Sequence, residues 1–212
     1  WNSSDDDLVD DFFKHAMKNC SEFQLVSDFS FILKLIPELM HFINQDVKIQ
    51  LIINLESSSI QKDISQLDLL KSEKFLSDFL LELIKTNSFE LESLKILGQI
   101  LTMEIEGESQ LKIKIAIPKR ISKKSHLNIG VFHYENGEQI SISGETDESN
   151  SDKSIENFTA YTSWGLENDY NVINQSKFSN LWDNNSRNLI VYDFPDPTKM
   201  FLANLNSDSI TE

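Results

Sequence analysis

Asn136-Gly137 is the residue pair that most narrows what this chain can become. It lies between two short runs with period-two alternation, one ending at Tyr134 and one starting at Gln139, so the stretch predicts a β-hairpin closed by a type I′ turn. The hairpin carries His126 at one end and brings the chain back to that end at Ser143-Gly144. Glu145, Asp147 and Glu148 then fall within reach of the histidine, and Asn157 to Ser163 reads as a further strand.

The remainder alternates between helical and extended signals. Leu8, Phe12, Phe13, Ala16 and Met17 share one helical face behind an N-cap at Ser3-Ser4-Asp5-Asp6, and Glu22 to Ser27 reads as a strand. Ser30 is placed to cap a helix with an apolar stripe at Ile32, Leu35, Ile36, Leu39, Met40 and Ile43, in which Pro37 marks a kink or a delayed start. Lys48 to Ile53 predicts a buried strand. After a Ser-rich loop at Ser57 to Ser59 come two or three helices, one with Phe75, Leu76, Phe79, Leu80, Leu83 and Ile84 on a single face, then another from Glu90 to Leu101. Leu111 to Ile117 alternates as a strand up to Pro118, a helix is expected over Glu167 to Trp182, and Leu189 to Tyr192 closes the pattern. Strands separated by helices predict an α/β fold: a mixed, mostly parallel sheet flanked by helices on both faces. The length suits a single domain over 1–212, with an acidic extension at 1–6 and a tail at 205–212.

Composition excludes several classes. A hydrophobic fraction of 40% with 14 phenylalanines belongs to a globular chain. The single cysteine, Cys20, rules out an internal disulfide; the acidic start carries no signal-peptide pattern, and the expected location is cytoplasmic. Opening on Trp1 suits a processed product or an excised domain. No apolar run approaches the roughly 20 residues of a membrane span, so no membrane partner is expected. With six glycines and no Gly-rich phosphate loop, Cys/His zinc spacing or Gly-x-Ser-x-Gly elbow, neither a cofactor nor a metal is predicted. The net charge of −15 opposes nucleic-acid binding, yet Lys112, Lys114, Lys119, Arg120, Lys123 and Lys124 form a dense basic block before His126. That block reads either as a solvated strand edge and loop or as a phosphate-facing rim.

Taken together, His126, the hairpin, Ser143-Gly144, Glu148 and Asn157 resemble the single-motif branch of the phospholipase D-like phosphodiesterases, especially the nuclease-type domain attached to helicases in bacterial and archaeal genomes. That family writes His-x-Lys, a hairpin, Ser-Gly-Ser-x-Asn-Glu and later Asn-x-Glu. Four positions depart from it: Asn128 stands at the lysine, Glu145 at the second serine, Asp147 at the asparagine and Thr159 at the last glutamate.

The resemblance implies a metal-independent mechanism in which one histidine attacks phosphorus and a second protonates the leaving oxygen. One motif copy supplies one histidine, so a working site requires a homodimer that shares His126 from each subunit. By the same resemblance, His126, Asn128, Asp147, Glu148 and Asn157 are the catalytic positions, and Ser143, Gly144, Lys123 and Lys124 the substrate-binding ones. Asn128 donates a hydrogen bond without a charge, Asp147 adds a carboxylate where an anion would sit, and Thr159 no longer orients the histidine. The expectation is a degenerate, catalytically silent domain of a nucleic-acid-processing or defence system of helicase or restriction type, acting in dimerisation or nucleic-acid docking. Two alternatives stay open: an atypical metal-independent phosphodiesterase that uses His126 across a homodimer with a cation from Lys123, Lys124 or the partner chain, and an acidic α/β interaction module. The acidic residues Glu145, Asp147 and Glu148 also read as a plain acidic loop or a cation site. His133 falls on the opposite strand face and reads as structural, while His15 and His41 lie on helices without a partner pattern.

Overall fold

A computed structural model describes residues 12–43, 47–55, 69–105, 111–119, 127–146 and 156–205. Its strands are β1 (Cys20–Ser27), β2 (Lys48–Asn54), β3 (Leu111–Pro118), β4 (Asn128–Tyr134), β5 (Gln139–Thr146), β6 (Glu156–Thr162) and β7 (Leu189–Asp193). They form one open sheet in the order β6-β5-β4-β1-β2-β3-β7. The helices are α1 (Lys14–Met17), α2 (Phe29–Ile43), α3 (Leu69–Thr86), α4 (Leu91–Ile105), α5 (Asn168–Trp182) and α6 (Asp196–Asn204).

The α/β class and the mixed sheet stand as read from the sequence, but "mostly parallel" is corrected. Only the β1–β2 and β2–β3 pairs are parallel, and β1–β4, β3–β7, β4–β5 and β5–β6 are antiparallel. The physical reason is connection length. Helical crossovers link β1, β2 and β3, whereas a tight turn links β4 to β5 and can only reverse the chain.

That turn also differs from the expected type I′, which needs a positive φ at both central residues. Asn136 is not in the left-handed region; Gly137 is, at φ 82°. The Gly137 N–H donates to the Tyr134 carbonyl at 3.0 Å and the Tyr134 N–H to the Glu138 carbonyl at 3.0 Å. This is a type I turn followed by a left-handed glycine, the three-residue hairpin loop. Asn136 holds it locally, its Oδ1 accepting from the Glu138 N–H at 3.0 Å.

Helices cover both faces unequally. Residues of one parity, among them Phe23, Leu25, Ile49, Leu51, Ile113, Ile115 and Phe132, build the larger core with α2, α3, α4 and α6. The opposite parity, with Val26, Ile52, Ala116, Ile129, Val131 and Val191, packs against Phe178 and Leu181 of α5. Apolar side chains on both faces explain why the central strands read as nearly continuous hydrophobic runs. Cys20 is buried, and burial pushes its thiol up to about 11.

Two helix starts depart from the sequence reading. The α2 cap is Asp28, whose Oδ1 accepts from the Phe31 N–H at 2.9 Å, and Ser30 lies inside the helix. Pro37 sits within α2, which continues through it. The roughly 3 kcal/mol that an interior proline costs is offset by burial of Leu35, Ile36 and Leu39. The sequence reading contains no α6, although Asp196-Pro197 is a sound start signal, with proline in the first turn where its missing N–H has no partner to lose. Among the described residues no helix is long and apolar enough to cross a membrane.

α6 crosses α4 at Gly98, where an added Cβ would overlap the Leu202 carbonyl oxygen. Backbone, unlike a side-chain tip, cannot swing away. Gly98→Ala is therefore expected to cost about 1–3 kcal/mol in denaturant unfolding, because overpacking outweighs the ~1 kcal/mol that alanine gains as a helix former. A variant as stable as the parent would contradict the close helix crossing.

Candidate functional site

The chain leaves β3 at its carboxyl end and enters β4 beside the carboxyl end of β1, where Ile129 pairs with Val26. Strand order therefore reverses direction at β1, and in open α/β sheets that switch point, outside the strand carboxyl ends, is where ligands bind. Asn128, Ser143 and Gly144 lie along this margin.

Asn128 opens β4 and is half-buried. Its Oδ1 accepts a hydrogen bond from the Ser27 hydroxyl at 2.8 Å, and Ser27, the last residue of β1, is 1% exposed. Antiparallel register sets Asn128 opposite Gly144 and Gly144 opposite Phe158. The Asn128 amide is thus pinned by its oxygen, and its Nδ2 makes no hydrogen bond among the described residues. Such a group offers a neutral NH2 with two N–H donors and no positive charge.

The pleat separates residues that are neighbours in sequence. Asn128, Gly144 and Phe158 belong to the parity of Phe132 and Ile142, facing the larger core. Ser143 shares the parity of Ser141, which faces α5 and accepts a hydrogen bond from Asn174 Nδ2 at 3.2 Å. The structure therefore brings Gly144 beside Asn128 and directs the Ser143 side chain to the other face. The Asn157 backbone pairs with Glu145, one step beyond the Ser-Gly corner. His126, Lys123, Lys124, Asp147 and Glu148 lie outside the described residues.

Half of the basic block sits elsewhere. Lys112 and Lys114 occupy the first half of β3, remote from its carboxyl end. They line a cleft of about 520 Å³ together with Glu73, Trp182, Tyr192 and Asp193. Lys114 Nζ donates to the Trp182 carbonyl at 2.9 Å and lies 4.5 Å from the centre of its ring. Lys119 Nζ donates to the Ser186 carbonyl at 2.8 Å. Lys114 and Lys119 are thus engaged locally.

A polar strip under α5 carries His133. His133 Nδ1 faces Gln139 Nε2 at 3.2 Å, and its Nε2 faces Gln24 Oε1 at 3.4 Å. Gln24 Nε2 donates to Glu22 Oε1 at 2.8 Å, and Lys48 Nζ bridges the same oxygen at 2.9 Å. Each ring nitrogen has a suitable partner when the ring is neutral with its proton on Nε2. The ring is held on both sides within the strip. Ser27 and the buried glutamines Gln24 and Gln50 were not singled out in the sequence; a polar residue inside an otherwise apolar strand is the signal that marks them.

Comparison with known protein families and with curated proteins finds no match to this chain.

Burial pushes the His133 pKa below its ordinary value; the Glu22 carboxylate opposes that shift and Lys48 adds to it. A histidine whose folded pKa is depressed binds fewer protons than in the unfolded chain, so its contribution is complete above the unfolded pKa of about 6.5 and declines as pH falls through and below it. Urea unfolding at pH 7.5 and pH 5.5 should show lower stability at the acid value, with a smaller loss in His133→Gln. An equal loss in both proteins would show that another group carries the dependence.

Proposed function

We propose that this chain is a degenerate phospholipase D-like nuclease-type domain of a nucleic-acid-processing or defence system, catalytically silent and retained for nucleic-acid docking or assembly. The observation that supports the reading is Asn128, a neutral amide held by the Ser27 hydroxyl at the switch-point margin, beside Gly144. In the related enzymes the corresponding position carries a lysine that stabilises the nonbridging phosphate oxygens. Loss of one preorganised electrostatic contact typically costs about 10²–10³ in rate.

His126 stands two residues before Asn128 in the sequence, on the connection that ends at the switch point, and is the nucleophile of the proposed ancestral chemistry. In that chemistry its ring nitrogen forms a bond to phosphorus as the bond from phosphorus to the leaving oxygen breaks, and a second histidine, supplied by a second subunit, protonates that oxygen. An amide at position 128 leaves the developing negative charge without a counter-charge. An active enzyme would have to take the missing cation from the basic block, and Lys112, Lys114 and Lys119 are placed or bonded elsewhere. Lys123 and Lys124 are the residues that such a mechanism would need.

The test is cleavage of single- and double-stranded DNA and of a generic phosphodiester, in the presence of a chelator. The parent chain is expected to show no turnover above background, and Asn128→Lys to gain at least about tenfold over it, given the size of one such contact. The gain should vanish in the Asn128→Lys, His126→Ala double variant. Parent cleavage that disappears in His126→Ala alone would overturn the silent reading, and no gain in Asn128→Lys would overturn the assigned role of this position.

A further inference from the structure

The two margins of the sheet are finished differently. On β7, the Phe194 N–H to Ile113 carbonyl and Lys119 N–H to Asn188 carbonyl bonds fix the ladder phase, so the odd residues direct their backbone groups outward. Two of those N–H groups are already taken: Val191 donates to Asn184 Oδ1 at 2.9 Å and Leu189 to Ser186 Oγ at 3.2 Å. The turn before β7 thus folds over its edge.

On β6, the Ser163 N–H bonds the Gln139 carbonyl at 2.9 Å, so Thr159 and Tyr161 bond inward to β5 while Phe158, Ala160 and Thr162 direct backbone groups outward. Among the described residues nothing accepts the Phe158 or Ala160 N–H. The strand has no proline, and no charged side chain falls between Asn157 and Leu166. Natural sheets normally protect an exposed edge with lysine, proline, a bulge or a covering segment. Large apolar side chains flank this one: Trp164 and Tyr170 are more than half exposed, Leu166 is fully exposed, and Ile173 is 46% exposed. Tyr170 stacks on Tyr161 of β6 at 4.9 Å and 15°, joining the α5 face to the strand.

We infer that a second copy of this chain pairs with β6 through an antiparallel β6–β6 contact centred on Ala160. Charge argues for a second copy. A chain with net charge −15 repels itself over most of its surface, and this uncharged stretch is where two copies meet without juxtaposing carboxylates. The pattern is also self-complementary. With Ala160 opposite Ala160, Phe158 falls opposite Thr162 and Thr159 opposite Tyr161, aromatic against β-branched residues on both faces. The smallest side chain lies on the two-fold axis. The outward groups of Phe158, Ala160 and Thr162 then complete a continuous ladder.

This dimer does not join the two candidate sites. Asn128 lies two strands in from the β6 edge and in line with Phe158, so five interstrand steps of about 4.8 Å and an offset of four residues along the strands put the two Asn128 residues roughly 28 Å apart in the combined sheet. The assembly is therefore distinct from a dimer that shares His126, and it stands or falls independently of the proposed site chemistry.

Sedimentation equilibrium of the full chain, over a concentration series into the high micromolar range, is expected to give twice the 24.4 kDa chain mass. Ala160→Lys sets two ammonium groups face to face and should raise the dimer Kd at least about tenfold, with an unchanged circular dichroism spectrum. Ala160→Cys should form an intermolecular disulfide on mild oxidation, since bonded antiparallel partners lie about 5.5 Å apart at Cα, within disulfide range. Asn136→Cys, on the hairpin turn, should not. A monomeric parent chain overturns the inference, including one that captures an unrelated extended peptide. So does a disulfide that fails to form in Ala160→Cys, which reads the contact even if the lysine variant does not fold.

Discussion

The antiparallel contact between β1 and β4 is the constraint on which the rest of the structure depends. It joins a parallel half, β1-β2-β3, to an antiparallel wing, β4-β5-β6, and a slip of one residue there would turn every wing side chain to the wrong face. A group of phenylalanines fixes the junction. Phe23 of β1 stacks on Phe132 of β4 at 4.8 Å and 27°, Phe13 packs edge-on against both, and Phe12 reaches Phe158 of β6 at 4.9 Å. Aromatic pairs of this kind contribute about 0.5–1.5 kcal/mol each beyond their burial. The segment leading into α1 thus acts as a clasp across β1, β4 and β6.

At the carboxyl end of the same junction, Ser27 and Asn128 finish the two strands with a side-chain hydrogen bond. β5 returns to the same end at Gly144. The Asn128 side chain brings no charge to it. An amide anchored through its oxygen fixes the geometry of the margin without adding a counter-charge.

Much of the architecture was legible in the sequence, for identifiable reasons. Leu111 to Ile117 alternates strictly and became β3 with its register to β2 intact, and Phe75, Leu76 and Leu80 share the buried side of α3. The strand pairings were less legible. Nothing local in Asn128 to Tyr134 states that β4 lies against β1 rather than at an edge, because that depends on the phenylalanine contacts across more than a hundred residues. Asn136-Gly137 marked the hairpin, but the loop includes Glu135, which moved the left-handed position to Gly137 alone. At the candidate site, Asn128 and Gly144 are brought together as neighbours, while the partner that holds Asn128 is Ser27. No spacing rule connects residues 27 and 128; only the parallel-to-antiparallel switch does.

The central claim is that a neutral seat at position 128 leaves this margin unable to hold a phosphoryl-like anion. Calorimetric titration of the parent chain with tungstate, a tetrahedral dianion, reads that property directly and without turnover. The account predicts no saturable binding, with any Kd weaker than about 1 mM. Micromolar binding that is lost in His126→Ala would contradict it.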